Sequence, residues 1–315
     1  VHSISKDDGQ AVHLEAESMQ TWTIKALLEW TTGYLASRQV DSPRLCAELL
    51  LSEVLGRPRI GLYTHFDQIV EGAALDRLRD MVKRAGRHEP VPYIVGRTEF
   101  YSLPLEVSVD CLIPRPETEL LVDKGLEFLR GRTGPQLVLD IGTGSGCVAV
   151  AIAAHFRQAR VIATDVSTKA LAVAARNVQR HGLQAQVELL AGDLFEPVAR
   201  LGPVCFDLIL SNPPYVAAGQ FDRLDRNVRD YEPRIALDGG PEGLDVIRRI
   251  VCGAGPYLKP GGAMMMEIGY GQGQAVCQTI SDCGGFLGPS LYKDGQGIDR
   301  VVVAVRQDDG CRPQG

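Results

Sequence analysis

The sequence predicts an α/β protein in two parts: a small helical bundle, then a mostly parallel sheet with helices on both faces. Three observations predict it. Apolar residues recur at helical spacing from about Thr21 to Glu89, with no strand pattern between them. From Leu137 onward short apolar runs alternate with helical stretches, the pattern of βαβ units. At 315 residues the chain is also longer than a typical single core.

Residues 1–20 are acidic and lack the apolar core of a signal peptide, so they read as a disordered extension. In the bundle, residues 21–89, Ile24, Leu27, Leu28, Tyr34 and Leu35 fall on one helical face. Ser42 before Pro43 reads as a helix start, a side-chain cap followed by a proline whose missing N–H costs nothing in the first turn. Leu45, Leu49 and Leu50 follow at helical spacing, and a further helix over 73–86 turns Leu75, Leu78 and Val82 inward. Over 90–111 prolines and glycines punctuate short β-type runs at 99–101 and 105–109, which predicts a β-hairpin linker. The remainder, 112–306, is expected to form the sheet, with strands at 137–140, 160–165, 187–191, 206–211 and 262–268. Helices are expected over 146–155 and from a cap at Ser167 to about His181, stopped by Gly182. A last strand at 300–305 pairs with a segment near 286–291, and 307–315 reads as a flexible tail.

Composition narrows the function classes. Hydrophobic residues make up 45% and charged residues 23%, ordinary values for a globular chain. A net charge of -6 argues against a general duplex-binding protein, so no direct nucleic-acid contact is expected. No apolar stretch is long enough to span a bilayer. The eight cysteines, Cys46, Cys111, Cys147, Cys205, Cys252, Cys277, Cys283 and Cys311, include no pair at zinc-knuckle or redox spacing. They read as reduced, structural thiols, which favours the cytoplasm. The six histidines do not cluster, so no metal site is expected.

Ligands on such sheets bind outside the carboxyl ends of the strands. The first strand there ends in Asp140-Ile141-Gly142-Thr143-Gly144-Ser145-Gly146. Three glycines in five residues let the backbone turn tightly and approach a ligand, with the free N–H groups of the next helix behind them. A dinucleotide fingerprint wants its third glycine or alanine at position 147, where Cys147 stands. The alternate glycines led by Asp140 instead resemble motif I of class I methyltransferases. That resemblance implies a Rossmann-like class I methyltransferase sheet. It also implies that Asp140, Gly142, Thr143, Gly144, Ser145 and Gly146 bind S-adenosylmethionine, the turn holding its methionine part. Asp165, at the end of the second strand, matches the acid that accepts the ribose hydroxyls, although an Asp before Ser-Thr also caps helices. After the third strand, Asp193 matches an acid that the family places near there. Leu194 takes the place of a residue that packs on adenine, with Phe195 the alternative.

The fourth strand runs into Asn212-Pro213-Pro214-Tyr215. Two prolines stiffen the backbone at the strand tip. Asn212 adds a side-chain carbonyl and Tyr215 a flat apolar face. These features suit a planar –NH2 group, whose two hydrogens go to the Asn212 side-chain oxygen and the Pro213 carbonyl. The amino group is a poor nucleophile, and two acceptors localise its electron density and aim it without a general base. Asn212, Pro213, Pro214 and Tyr215 are therefore the expected catalytic and substrate-binding residues, with Asn212 also beside the cofactor. The tetrapeptide resembles that of amino-methyltransferases acting on adenine, cytosine or glutamine, and by itself it does not choose between them.

Leu112-Ile113-Pro114-Arg115-Pro116-Glu117-Thr118-Glu119 resembles the signature of the HemK/PrmC family of protein-glutamine methyltransferases. Pro92-Tyr93-Ile94-Val95-Gly96, Glu99-Phe100, Glu232-Pro233, Ala236-Leu237 and the stretch 239–244 are similar as well. The resemblance covers about Trp22 to Arg306. It implies methyl transfer from S-adenosylmethionine to the glutamine of the Gly-Gly-Gln loop of class I peptide chain release factors, modulating translation termination. A ribosomal protein as substrate, or an exocyclic adenine nitrogen, is the alternative. The resemblance also implies that the helical part contributes to recognising the release factor. Pro114 and Pro116 stiffen the eight-residue run as a cleft wall, and Thr118 with Glu117 and Glu119 offers polar groups near a cationic sulfonium. The same run also reads as a capped helix start. Glu232 and Pro233 are expected in a loop on the substrate side.

Overall fold

The computed structural model describes residues 21–308. The expected extension 1–20 and the tail from residue 309 lie outside the described residues. The chain divides into two compact units at Val95/Gly96.

The first unit holds α1 (Ile24–Ser37), α2 (Pro43–Leu55), α3 (Arg59–Tyr63), α4 (Ala73–Ala85) and α5 (Val91–Val95). Ile24, Leu27, Leu28 and Leu35 meet Leu50, Leu51, Leu78 and Val82 in one buried cluster, so the spacing that predicted the helices also builds the core. Thr23 caps α1 by accepting from the Ala26 N–H. Ser42 does not cap α2 with its side chain, contrary to expectation: its φ of 47° is left-handed, and only Pro43 keeps the expected place in the first turn. Over 91–95, where the linker was expected to begin, the chain is helical, with Pro92 in the first turn of α5.

The second unit opens with an antiparallel hairpin of β1 (Arg97–Phe100) and β2 (Leu103–Glu106). Tyr101 and Ser102 turn it, both at positive φ, as a tight two-residue connection requires. A 3-10 turn over Pro116–Thr118 leads into α6 (Glu119–Arg130). Then follow β3 (Gln136–Ile141), α7 (Cys147–His155), β4 (Ala159–Asp165), α8 (Thr168–Arg180), β5 (Val187–Ala191), α9 (Glu196–Ala199) and β6 (Phe206–Ser211). The last described elements are α10 (Arg226–Tyr231), α11 (Asp245–Ala254), β7 (Leu258–Glu267), α12 (Gly273–Cys283), β8 (Ser290–Lys293) and β9 (Asp299–Val305). Ser167 caps α8 through the Ala170 N–H, as expected.

The sheet order is β5-β4-β3-β6-β7-β9-β8, parallel from β5 to β7, with β9 antiparallel to both neighbours. Along β6, Leu208 and Leu210 pack into one apolar layer while Ile209 packs into the other. Burial on both faces explains why this strand reads as a continuous apolar run. The chain winds outward from β3 to β5, then returns to β6 on the other side of β3. That reversal opens a crevice at the carboxyl ends of β3 and β6.

One expectation about the cysteines is overturned. Cys252 of α11 and Cys283 at the end of α12 form a disulfide, with their Cα atoms 5.5 Å apart. Cys46, Cys111, Cys147, Cys205 and Cys277 form no disulfide among the described residues, and Cys311 lies outside them. The inference from thiols to compartment loses its premise at this pair. Among the described residues no helix is long and apolar enough to cross a membrane.

Leu208 is fully buried in the central strand. Leu208→Ala is expected to lower unfolding free energy by roughly 2–5 kcal/mol, through lost transfer energy and the cavity left behind. Urea titration of the two proteins checks it.

Candidate active site

A cavity of about 580 Å³ lies at the crevice, within the range of small-molecule sites. The end of β3 lines it with Asp140, the turn that follows with Gly142, Thr143, Gly144 and Ser145, the end of β4 with Asp165, and the loop after β5 with Asp193 and Leu194. Asn212, Pro213 and Pro214 line it beyond β6, and Val246, Arg249 and Ile250 of α11 close another side.

Gly142 and Gly144 have φ of 71° and 58°, and nothing stands within 4 Å where a Cβ would be. Here the left-handed backbone faces open space that a ligand can approach. The third glycine of the turn, Gly146, is not on the cavity wall. A Cβ there would press on Ala174 of α8, so it serves packing. Thr143 donates to Asp140 at 2.6 Å. The Ser145 hydroxyl is buried, with only the neighbouring Cys147 thiol beside it as a weak partner, so it keeps capacity for a polar ligand group.

Asp140 is 1% exposed. Burial pushes its carboxyl up to about 7, although Thr143 pulls the other way. Asp165 is also raised by burial and opposed by backbone donors. Its two oxygens accept from the Gly144 and Ser167 N–H groups, each at 2.8 Å. The cap-like reading and the place on the cavity wall therefore both hold for this residue. An ionised carboxylate keeps further acceptor capacity after two such bonds.

Leu194 lines the cavity with φ of 47°, a strained conformation for a branched aliphatic residue. Phe195 turns away into the core and stacks on Tyr257 with ring centres 4.9 Å apart. Asp193 pairs with Arg249 at 2.5 Å.

The tetrapeptide divides. Asn212, Pro213 and Pro214 are on the wall, whereas Tyr215 is not. The Tyr215 hydroxyl donates to Glu267 at 3.2 Å, and burial raises its pKa. The stretch 239–244 braces this corner: a Cβ on Gly243 would stand 2.3 Å from the Tyr215 carbonyl oxygen. Gln272 donates to the carbonyls of both residues.

The eight-residue run divides too. Leu112, Pro114 and Thr118 line the cavity; Glu117 and Glu119 do not. Glu119 accepts from the Tyr101 N–H at 2.8 Å and so holds the hairpin turn. Arg115 is ion-paired with Glu232, which is 5% exposed and also accepts from the Ile113 N–H at 3.3 Å. Glu232 thus ties the run to the segment 233–236, which supplies Pro233, Arg234, Ile235 and Ala236 to the wall.

Sequence reasoning missed Glu267. It ends β7 after an apolar run, as Asp140 and Asp165 stand at the ends of theirs, and that shared signal was available. The contribution of α11 carried no local signal, because only tertiary packing brings it to the cavity.

A model of the PrmC N-terminal domain matches residues 26–96, and a model of the methyltransferase small domain matches 118–227. The release factor glutamine methyltransferase of Geobacter sulfurreducens is 46% identical over 286 residues, covering 91% of this chain and 98% of that one. That of Rhodopirellula baltica is 39% identical over 292 residues, covering 91% and 98%. Among solved structures, the hMettl16 catalytic domain in complex with the MAT2A 3'UTR hairpin 6 superposes with a TM-score of 0.52. It covers 77% of this chain and 86% of that one at 16% identity, and so speaks to the fold alone.

The raised Asp140 carboxyl has a consequence for stability. The folded state holds this proton more tightly than the unfolded state does, so stability falls as pH rises from about 4 through about 7. Asp140→Asn lacks that ionisation. Unfolding titrations across pH 4–8 are expected to show the unmodified protein losing stability relative to the variant. A constant difference across that range contradicts the assignment.

Proposed function

The chain belongs to the release factor glutamine methyltransferase family, and we propose that it methylates the glutamine side-chain amide of the Gly-Gly-Gln loop in class I peptide chain release factors. The methyl donor in this reading is S-adenosylmethionine, and the consequence is a modulation of translation termination in the cytoplasm. The observation that carries the reading is that Asn212, Pro213 and Pro214 line the same cavity as the glycine turn and Asp165.

The residues present fit the donor. Gly142 and Gly144 leave room for its methionine part, and the buried Ser145 hydroxyl would offer that part a hydrogen bond. Asp165 has acceptor capacity for ribose hydroxyls, and Leu194 offers an apolar side chain to the adenine ring. When bound, S-adenosylmethionine supplies an electrophilic methyl group on a positively charged sulfur.

The remaining chemistry belongs to this chain. A carboxamide nitrogen shares its lone pair with the neighbouring carbonyl and is a poor nucleophile. Asn212 Oδ1 and the Pro213 carbonyl accept its two hydrogens, which raises electron density on nitrogen and holds it in line. With the donor bound, its methyl would pass from sulfur to the nitrogen these two acceptors hold, and the nitrogen's proton would leave for solvent afterwards. Both acceptors also stabilise the positive charge that develops on nitrogen, so no general base is required. Recognition of the release factor we assign in part to the helical unit.

Incubation with a purified release factor and isotopically labelled donor, followed by mass spectrometry of the Gly-Gly-Gln peptide, tests the reading. One added methyl on the glutamine is the expected outcome; methyl on a ribosomal protein instead, or on no carboxamide, refutes it. Asn212→Ala is expected to lower turnover about 100- to 1000-fold while donor affinity stays within about threefold. An equal loss of affinity would make Asn212 chiefly a donor ligand. Asp165→Ala is expected to act mainly on the KM for the donor, and an unchanged KM removes the ribose assignment.

A further inference from the structure

We propose that Thr118 and Glu267 are positioning residues that decide which end of the Asn212 amide faces the substrate. The inference rests on the glutamine reading above. An asparagine amide is nearly symmetric in shape but opposite in function at its two ends. Only the carbonyl end can accept from a substrate –NH2; the amide end would present a second donor and repel it. Something must therefore select between two orientations of similar shape.

Three hydrogen bonds make that selection. The Thr118 hydroxyl donates to Glu267 Oε2 at 2.6 Å. The Tyr215 hydroxyl donates to Glu267 Oε1 at 3.2 Å. Asn212 Nδ2 donates to Thr118 Oγ1 at 3.1 Å. A hydroxyl has a single proton, and Glu267 takes the one on Thr118. What Thr118 has left is lone pairs, which attract the amide nitrogen of Asn212 and repel its oxygen. Nδ2 is held there, and Oδ1 is the end left for the substrate. Polarity thus passes from the carboxylate through one hydroxyl to the amide.

Burial makes the selection strict. Thr118 and Glu267 are each 1% exposed, so water does not compete for these groups and a mismatched amide carries its full penalty. Burial raises the Glu267 carboxyl, against the two hydroxyl donors and the nearby charge of Arg300. The backbone sets the stage: Ser211, the last residue of β6, is in register with Met266, so Asn212 just past β6 and Glu267 at the end of β7 come next to each other.

Two measurements test the inference. In protein labelled with 15N at asparagine, the Asn212 side-chain –NH2 is expected to exchange its protons at least about tenfold more slowly than exposed asparagines, because it donates to the buried Thr118 hydroxyl. Thr118→Val, close in shape but without the hydroxyl, is expected to lose that protection. It should lower kcat on the release factor at least about tenfold while the donor KM stays within about threefold. Thr118→Ser, which keeps the hydroxyl, is expected to recover most of both. Glu267→Gln, whose amide oxygen still accepts from Thr118, is likewise expected to retain most of the protection. Unprotected Asn212 protons in the unmodified protein overturn the inference, as does a kcat for Thr118→Val within twofold of normal, or a Thr118→Ser variant as impaired as the valine. If the unmodified protein transfers no methyl to a release factor, the glutamine reading fails, and the exchange measurement still decides the anchor.

Discussion

Parallel strands share a direction, so their carboxyl ends share an edge, and register determines which residues become neighbours there. Asp140 is paired with Ala163 on one side and Leu210 on the other, while Ser211 lies between Ile141 and Met266. One residue further along, this register brings Gly142, Asn212 and Glu267 out at the same edge. The apolar layers on both faces hold the register in place. A slip by one residue would turn every core side chain of a strand to the wrong layer. The site therefore inherits its geometry from hydrophobic packing several residues away.

The strand ends and the loops around them gather acids at a cost. Asp140, Glu232 and Glu267 are buried, and burial disfavours the charged form of each. Each is satisfied by specific donors: Thr143 for Asp140, Arg115 and the Ile113 N–H for Glu232, two hydroxyls for Glu267. The left-handed Leu194 adds backbone strain of order 1–3 kcal/mol. Local instability of this kind concentrates where a site must be preorganised, and the surrounding apolar layers offset it.

Much of this was legible from residues alone, for physical reasons. The strands Val187–Ala191 and Phe206–Ser211 were read at their observed bounds, because apolar-rich runs flanked by polar or glycine residues mark a strand, whether at the sheet edge like the first or buried throughout like the second. The glycine turn, Asp165 and the strand tip at Asn212 carried local signals and came together on one cavity. Ser42 misled, because a left-handed backbone directs its side chain away from the cap position. The surroundings of Tyr215 were not legible, because nothing local shows that its hydroxyl donates to Glu267. The Cys252–Cys283 pair escaped notice, since a separation of 31 residues follows no spacing rule and depends on how α11 and α12 pack. The wall from α11 and the anchor at Thr118 are tertiary in the same sense.

The hydrogen bond between Thr118 and Glu267 joins residues 149 positions apart. On a chain emerging from a ribosome at about 5–20 residues per second, that span corresponds to roughly 7–30 seconds of synthesis. Until β7 has emerged, Thr118 has no carboxylate to answer and Asn212 no reason to prefer one rotation of its amide. The glycine turn and Asp165 come earlier in the chain, so the groups assigned to the donor precede the machinery that would use it. A nascent chain halted before β7 is thus expected to carry a half-built pocket, and competence to arrive late and all at once.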